Sequence, residues 1–304
     1  MKYKNFSFGL ALSIMMVTMT SCEDLIVQQG SAIDLGTGTS DPISQNFSGN
    51  IDDYFAPNPH TKTMINDTPN SDSSYSLYWQ AGDEISISEG SNTAIYVTEG
   101  TSSVATFTKR SGYVSNTASK YLAFYPASIT PSNQTLPAEQ EYVARNVKNY
   151  PMYAESNDYN LSFKNLCGIL RINITNTDSE NPINVKKISV NVDGQGLSGN
   201  FTIDSSFAAV VSGTDGVVLN CPTAVSLSSQ ANSFNVIVPK GAYNAMKIKI
   251  TAEDGKELNL QGQSTVTIQR SRITQVNISL KAADFNNALE VLTFIESDVD
   301  FTER

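Results

Sequence analysis

Apolar and polar residues alternate with a period of two over most of the chain. In the first half, short runs rich in β-branched and aromatic residues are separated by Gly, Asn, Ser and Pro. These runs lie at residues 43–47, 63–65, 84–88, 94–98, 104–108 and 121–125. Such alternation predicts β-strands with one buried face, and the separating residues are typical of turns. No convincing helical period occurs before residue 282, so the sequence predicts an all-β protein.

A second block of strands is predicted after residues 149–157, a polar and aromatic stretch that contains Pro151. It opens with the longest strand-like run, residues 161–174, interpreted as one central strand. The run's apolar positions fall on two faces, Leu166, Leu170, Ile172 and Ile174 on one and Cys167 and Ile169 on the other. Further strands are predicted at residues 185–192, 201–203, 217–219, 234–238, 246–251, 258–260, 266–268 and 276–280. Many short strands at this spacing indicate a sandwich or a barrel, here occurring twice.

Two turn signals lie within the second block. Asp254-Gly255 separates two alternating runs and predicts a tight hairpin, since that turn needs positive φ at its central residues. Residues 194–199, Gly-Gln-Gly-Leu-Ser-Gly, fit a dinucleotide-binding pattern, but that pattern requires a helix after the glycines and a strand is predicted there. We interpret them as a glycine-rich hairpin between the runs at 188–192 and 201–203.

The last residues allow two interpretations. Leu289, Val291, Thr293 and Ile295 alternate as a strand does, while Ala288, Leu292 and Ile295 also fit a helical face. The abundance of Val, Thr, Phe and Ile favours a strand. The predicted units are therefore an N-terminal sandwich at 43–157, a C-terminal sandwich at 158–282 and a tail at 283–304.

The N-terminus has the order of an export signal. Lys2 and Lys4 precede about ten mostly apolar residues, and Met19-Thr20-Ser21 leads into Cys22. This arrangement predicts a lipoprotein signal peptide at 1–21, with Cys22 acylated after cleavage and residues 22–42 as a flexible tether. Several acyl chains on one residue hold a protein on a membrane almost permanently. The alternative is an ordinary signal peptide with an incidental cysteine.

Composition narrows the classes of function. The formal net charge of −10 argues against nucleic acid as a partner and against an electrostatic membrane patch. Cys167 and Cys221 either form one disulfide or remain as buried free thiols. His60 is the single histidine, no cysteine pair has ligand spacing, and no serine-hydrolase motif is present. The sequence therefore predicts no cofactor, no metal site and no enzyme.

Two groups of side chains keep open alternatives. Carboxylates occur in predicted turns, as at Asp83-Glu84 and Glu253-Asp254, which is typical of solvated loops, although sequence alone does not exclude a glycosidase pair. Trp79, the only tryptophan, is favoured as a core residue over an exposed platform for sugar stacking.

The leader and five ordered segments together resemble the fimbrillin family, the Mfa-like lipoprotein subunits of type V pili. The ordered series and its spacing carry the resemblance, which covers almost the whole chain after the leader. The segments are Ile43-Ser-Gln-Asn-Phe47, Thr61-Lys62-Thr63, Trp79-Gln-Ala-Gly-Asp-Glu-Ile85, Tyr121-Leu-Ala-Phe-Tyr-Pro126 and Phe163-Lys-Asn-Leu-Cys-Gly-Ile-Leu-Arg-Ile172.

The resemblance implies two tandem transthyretin-like Greek-key sandwiches, displayed at the outer membrane surface. It also implies that an arginine-directed protease removes an N-terminal strand, so that a strand from the next subunit fills the groove. By position, residues 43–51 are that strand. The chain departs from the family here, since its first arginine is Arg110; Lys62 is the basic residue placed to serve a protease that accepts either base. Without that cut the chain would stay intact, keep its lipid and act as an anchor or as a non-polymerising surface lipoprotein.

The resemblance and the pattern together give the expected function. The chain is expected to be a surface-exposed lipoprotein acting as a fimbrial subunit or anchor, with a role in adhesion and other fimbrial subunits as partners. The candidate donor strand is the tail at Leu289, Val291, Thr293 and Ile295. The alternative is a monomeric lipoprotein that binds a glycan or a host molecule.

Overall fold

The computed structural model describes residues 45–51, 77–144, 146–286, 290–292 and 295–298. These residues form an all-β structure, as the alternation predicts. Nine strands belong to the first half of the chain: β1 (Phe47–Ile51), β2 (Glu84–Glu89), β3 (Asn92–Thr98), β4 (Ala105–Gly112), β5 (Tyr121–Tyr125), β6 (Thr135–Leu136), β7 (Glu139–Glu141), β8 (Met152–Ser156) and β9 (Asn160–Asn165).

The second half contains eleven further strands, followed by a 3₁₀ turn at Ala282–Asn286 and two short strands of the tail. The eleven are β10 (Gly168–Asn176), β11 (Asn184–Asn191), β12 (Gly199–Ile203), β13 (Ala209–Val211), β14 (Val217–Ser226), β15 (Asn232–Val238), β16 (Gly241–Tyr243), β17 (Lys247–Ala252), β18 (Glu257–Gly262), β19 (Val266–Ile268) and β20 (Ile273–Leu280). The tail strands are β21 (Glu290–Leu292) and β22 (Ile295–Asp298).

Seven strands of the first half close into a ring in the order β1-β4-β3-β2-β5-β8-β9. All neighbours in this ring are antiparallel except β1 and β9, which run parallel and complete the closure. The expected sandwich of two separate sheets is therefore a closed barrel in this half. Because the ring is closed, each of its strands has a neighbour on both sides, and the sheet has no open edge.

The second half repeats much of this scheme. β10 lies between β15, which is antiparallel to it, and β20, which is parallel, just as β1 lies between β4 and β9. β11 lies between β14 and β17, as β2 lies between β3 and β5. β17 also pairs with β18, as β5 pairs with β8. In contrast to the first half, β14 does not pair with β15 and β18 does not pair with β20, so these strands form two separate sheets. This half is thus an open two-sheet arrangement, with a seam at each side.

Other parts of the chain lie along these seams. β7 pairs in parallel with β14, and the amide of Gln140 on β7 bonds both backbone groups of Ile237 on β15, each at 2.8 Å. On the opposite side, β21 pairs in parallel with β18, and β22 pairs antiparallel with β20. A strand from the first half and the tail thus satisfy edges that the second half leaves open.

The two halves have chemically different cores. The core that fills the ring is rich in aromatic side chains, including Phe47, Trp79, Tyr96, Phe107, Tyr121, Phe124 and Phe163. The core between the sheets of the second half is mainly aliphatic, including Leu170, Ile172, Ile174, Val185, Ile188, Ile248 and Ile250. The boundary predicted after residue 157 stays a prediction; the strand that follows it, β9, completes the ring and ends at Asn165.

Three sequence interpretations were wrong in detail. The run at 161–174 is two strands, β9 and β10, and Leu166 lies in the first core whereas Leu170 lies in the second. The stretch at 149–157 contains β8, a strand of the ring. The glycine-rich residues 194–199 lead into the strand β12 and not into a helix, which disfavours a dinucleotide site, but β12 pairs with β13 and β6 rather than with β11.

The hairpin predicted at Asp254-Gly255 is confirmed. β17 and β18 pair antiparallel on either side of it, and the Gly255 N–H donates to the Ala252 carbonyl at 3.0 Å. Of the two turn residues only Gly255 has positive φ, at 83°, so the turn is looser than the two-residue type expected. Within the described part of the chain, no helix is both long and apolar enough to cross a membrane.

Candidate functional site

The position of β1 is the best candidate for a functional site. This strand of five residues inserts between β4 and β9, and its backbone is paired on both sides. The Ser48 N–H also donates to the Tyr159 carbonyl at 2.8 Å. A strand that is held by backbone pairing along both edges fills a place that another strand of matching shape could also fill.

Phe47 fills an aromatic pocket under β1. Its side chain is fully buried, and its ring meets those of Tyr96, Tyr121 and Tyr159 edge-on at centroid distances of 5.0, 5.1 and 5.4 Å. Edge-to-face contacts of this kind stabilise beyond the area they bury. Burial raises the pKa of Tyr96 to about 12, with the charges of Tyr121 and Tyr159 adding to the shift. Burial therefore favours the protonated, uncharged form of the Tyr96 hydroxyl.

Gly49 occupies a narrow position between two aromatic rings. A Cβ at residue 49 would come within 2.8 Å of the Phe107 ring and 3.3 Å of the Phe163 ring. Trp79 packs edge-on against both rings, with centroid distances of 4.9 and 5.1 Å, and its indole N–H donates to the Gly49 carbonyl at 3.1 Å. The sequence analysis did not identify this constraint on Gly49. Trp79 itself is completely buried, which confirms the core interpretation over a sugar platform.

Polar contacts also hold β1 and the chain just before it. The Ser162 hydroxyl donates to the Asn50 amide oxygen at 3.0 Å, and the Gln45 amide donates to the Tyr121 hydroxyl at 3.4 Å. If β1 left, the edges of β4 and β9 would lose their partner, and the rings of Phe107 and Phe163 would lose their cover. Unpaired backbone groups beside an apolar trough form a ready acceptor for an incoming strand.

The tail provides the second part of the candidate site. Phe285, in the 3₁₀ turn, is buried in the second core, and Asp284 accepts a hydrogen bond from the Lys281 backbone N–H at 2.8 Å. The chain then pairs along β18 and β20 as two edge strands, which agrees with the strand favoured for the tail. Of the four donor candidates, Val291 and Ile295 lie in these strands, and Leu289 and Thr293 lie outside the described residues.

Several other predicted positions also lie outside the described residues. These are the leader, the acylation site Cys22, the tether, His60 and the candidate processing site Lys62. Cys167 and Cys221 are buried free thiols, which decides between the two alternatives left open for them. Burial raises the pKa of the Cys167 thiol far above its usual range and that of Cys221 to about 11. Both thiols are therefore protonated and unreactive at neutral pH.

The described carboxylates at the predicted turns have structural partners. Asp83 accepts from the Tyr125 hydroxyl at 2.9 Å, and Asp254 pairs with Lys256 at 2.7 Å. Glu84 forms an ion pair with Arg110. Among the residues the structure describes, no three His, Cys, Asp or Glu side chains are grouped so that they could hold a metal ion.

Comparison with known proteins gives structural neighbours only. A scan against protein families finds no match, and a search of curated proteins finds none either. A candidate cell adhesion protein from Bacteroides ovatus has 12% identity and a TM-score of 0.49, with 85% of this chain and 97% of that chain covered. A candidate cell adhesion protein from Bacteroides uniformis has 14% identity and a TM-score of 0.44, with 78% and 96% covered.

A third solved structure is the tip fimbrial protein Mfa3 from Porphyromonas gingivalis, with a C-terminal truncation. It has 8% identity and a TM-score of 0.33, with 77% of this chain and 94% of that chain covered. The solved proteins to which this chain is similar thus include fimbrial and candidate cell adhesion proteins.

Proposed function

We propose that this chain is a cell-surface lipoprotein that serves as a structural subunit or anchor of fimbriae and assembles by strand exchange. The acyl chains on Cys22 would hold it at the outer membrane, and its partners would be other fimbrial subunits. Tandem transthyretin-like domains are part of the same proposal. The observation that carries it is the position of β1, a short strand paired on both sides over an aromatic trough.

The trough gives strand exchange a physical basis. If β1 left the ring of strands, the backbone edges of β4 and β9 would be exposed. The aromatic side chains around Phe47 and Gly49 would be exposed with them. Exposed apolar surface costs about 25 cal/mol per Å², and unpaired edges favour pairing with another chain. A strand from a second subunit would pair with the exposed backbone edges and cover the exposed apolar side chains at once. A monomeric binding protein has no use for a replaceable strand.

The tail supplies a donor in this proposal. In the described structure β21 and β22 each pair along one edge only, with β18 and β20 respectively. A strand inserted in the place of β1 would pair on two edges. Exchange from the tail's own edge into a neighbour's ring therefore increases backbone pairing, provided that the ring has been opened by cleavage near Lys62.

The lipid anchor is tested by substitution of its cysteine. Cys22→Ala should move the protein from the membrane fraction of the native cells to the soluble fraction, while Ser21→Ala, beside it, should leave partitioning unchanged. Radiolabelled palmitate should label the parent chain and not Cys22→Ala. Equal membrane partitioning of Cys22→Ala and the parent would contradict the tether.

Strand donation is tested by truncation after Asn286, which removes β21 and β22 and keeps Phe285 in the second core. The truncated chain should fold, because it keeps β1 to β20 and that core residue, and should form no polymers, whereas the full chain should form ladders on unheated gels. Circular dichroism of the purified monomer controls for folding. Normal ladders from the truncated chain would remove the tail's role, and the N-terminal residue of mature protein, Cys22 or Thr63, reports anchored or processed material.

A further inference from the structure

A hairpin of the second half presents an exposed phenylalanine on a constrained turn. β12 and β13 pair antiparallel, and the turn between them contains Phe207, which is 39% exposed and has a φ of 59°. Val210, three residues along the same hairpin, is 50% exposed. A positive φ is unusual for a bulky residue, and it persists only where the surroundings enforce it. Phe207 lies outside both cores, so core packing does not explain a large apolar side chain at this position.

Hydrogen bonds to Asp204 hold this turn in shape. One carboxylate oxygen of Asp204 accepts from the backbone N–H groups of Ser206 and Ala208, at 2.8 and 2.9 Å. The same oxygen accepts from the Ser206 hydroxyl at 2.7 Å, and the Phe207 N–H donates to the Asp204 carbonyl at 3.0 Å. A side chain carried on a turn that is already ordered loses little conformational freedom when it enters a partner.

Two lysines flank Phe207, and the three residues together are here called the Phe207 tip. The Nζ atom of Lys164, on β9, lies 6.0 Å from the centroid of the Phe207 ring, and Lys240 donates from Nζ to the Ser206 hydroxyl at 3.2 Å. The acidic group nearby, the Asp204 carboxylate, is already engaged by the hydrogen bonds of the turn. A chain with a formal net charge of −10 thus presents an apolar side chain beside two ammonium groups. A matching partner would offer an apolar recess with an acidic rim.

The second half contains a cavity of this kind, here called the acidic cavity. Its volume of about 270 Å³ is small beside pockets that enclose drug-sized ligands, and it suits a single side chain. Its apolar lining comes from Pro182, Ile183, Ala252, Ala282 and Phe285. The charged lining consists of Glu253, Asp254 and Lys256. Lys256 pairs with Asp254 at 2.7 Å, whereas Glu253 accepts from the neutral Asn184 amide at 3.2 Å, so the rim keeps a net negative charge.

The Phe207 tip and the acidic cavity lie at opposite ends of β10. Lys240 follows β15, whose last residue, Val238, pairs with Gly168 at the start of β10. At the other end of β10, Asn176 pairs with Leu280, the last residue before the segment that lines the cavity. Nine residues of extended strand place these ends about 26 Å apart. The tip of one molecule therefore does not reach its own cavity, whereas the tip of a second copy can.

We propose that Phe207 of one copy enters the acidic cavity of a second copy, while the two flanking lysines face its rim. The contact joins two different surfaces, so it repeats from copy to copy in an open row unless the rotation between copies closes a ring. It goes beyond the proposed strand exchange, because it needs neither cleavage nor removal of β1. A contact of this size buries less area than a stable dimer interface, so the association is expected to be weak and to rise with protein concentration.

Sedimentation velocity of the full chain, left uncleaved and carrying Cys22→Ala so that no lipid contributes, measures this association. The parent should self-associate as its concentration rises, and Phe207→Asn should weaken the association by about tenfold or more. Asparagine tolerates a positive φ, so this variant keeps the turn and loses the ring. Tyr113→Asn, which removes an exposed aromatic ring elsewhere, is the matched control and should associate like the parent. A parent that stays monomeric, or equal association of Phe207→Asn and the parent, would overturn the contact.

Mixing two variants tests whether the contact joins different surfaces. Glu253→Lys keeps the tip and disables the cavity by repelling the lysines of an incoming tip, whereas Phe207→Asn keeps the cavity. Each variant alone should stay monomeric, and their equimolar mixture should form dimers but no longer species. Glu99→Lys, the same charge change at an exposed position, should associate like the parent, and thermal melts check that every variant is folded.

A mixture that stays monomeric would overturn the contact, as would unchanged association of Glu253→Lys alone. Because β1 stays in place in the uncleaved chain, either result would leave the proposed strand exchange standing. Loss of ladders from cleaved chain, with association of the uncleaved chain intact, would instead contradict strand exchange and support this contact.

Discussion

In the first half of the molecule β3 pairs with β4 and β8 pairs with β9, whereas the equivalent strands of the second half do not pair with each other. The first half therefore closes on itself with β1 as one member of the ring. The second half stays open and has its seams covered by β7 and by the tail. One pairing scheme thus yields one half that can be opened by removing a strand and another that receives strands from elsewhere in the chain.

The cores differ in the same sense. Aromatic rings around β1 keep a defined shape because they pack edge to face, and a trough of defined shape can select the strand that enters it. The aliphatic core of the second half is covered by sheets whose central strands, β10 and β11, are long and continuous.

The largest effect is expected from the ring's aromatic core. Phe107→Ala should lower the free energy of unfolding by about 3–5 kcal/mol, because it leaves a cavity beside Trp79 and Gly49. Urea unfolding followed by circular dichroism measures the change, and Thr106→Ala, exposed on the same strand, is the matched control. Ile172→Val in the second core should cost only about 0.5–1.5 kcal/mol. Equal costs in the two cores would break the comparison.

A smaller effect is expected at the narrow position of β1. Gly49→Ala should destabilise the chain by about 1–3 kcal/mol, because the new methyl group meets two rings. The emission of Trp79 should change with it, since the indole donates to the Gly49 carbonyl. Gly100→Ala is the control, because a Cβ there meets nothing within 4 Å. If both alanines behave alike, the trough does not discriminate by size.

The seam covered by β7 should respond to loss of one amide. Gln140→Leu should cost about 1–2 kcal/mol, because both backbone groups of Ile237 lose a hydrogen bond that water replaces only in part. Hydrogen exchange at the Ile237 amide should become faster, while amides of the ring stay protected. Glu139→Ala, on the exposed side of the same strand, should change neither quantity.

The smallest effect is expected in the pH dependence of stability, and it arises from Tyr96 in the first half. Because burial raises the pKa of Tyr96 from an ordinary value near 10 to about 12, its contribution to stability is fully present below pH 10 and is lost as pH rises toward 12. Thermal melts of the parent at pH 7 and at pH 11 should therefore differ more than those of Tyr96→Phe. Tyr113→Phe serves as the exposed control, and an equal alkaline loss in all three would exclude Tyr96 as the cause.

Sequence reasoning succeeds where the alternation is strict and the turn residues are distinctive. β17, β18 and the turn at Gly255 meet both conditions, and the all-β class follows from many such runs. It fails at 161–174, where apolar residues continue without a break from one core into the other. The one sign of the break in the sequence is Gly168, at the start of β10. Only a glycine fits there, because a Cβ would come within 2.3 Å of the Gln269 carbonyl oxygen. This close approach of two backbone segments depends on residues far apart in the chain, so the sequence around Gly168 does not reveal it.

The candidate site was predictable in outline. A first strand at 43–51 and a strand in the tail follow from alternation and the family resemblance, and the structure places strands at Phe47–Ile51 and Ile295–Asp298. The trough itself was not predictable, because Trp79, Phe107 and Phe163 come from three distant segments. Closure of the ring was missed for the same reason, since it depends on the parallel pairing of β1 with β9.

The path of β7 has a mechanical consequence. This strand lies between β5 and β8 in sequence, yet its backbone is bonded to β14 and its Gln140 side chain to β15. Tension pulling the two halves apart would load the ladder between β7 and β14 together with the two-residue connection from β9 to β10. Two attachments of this kind share a load that a single linker would carry alone.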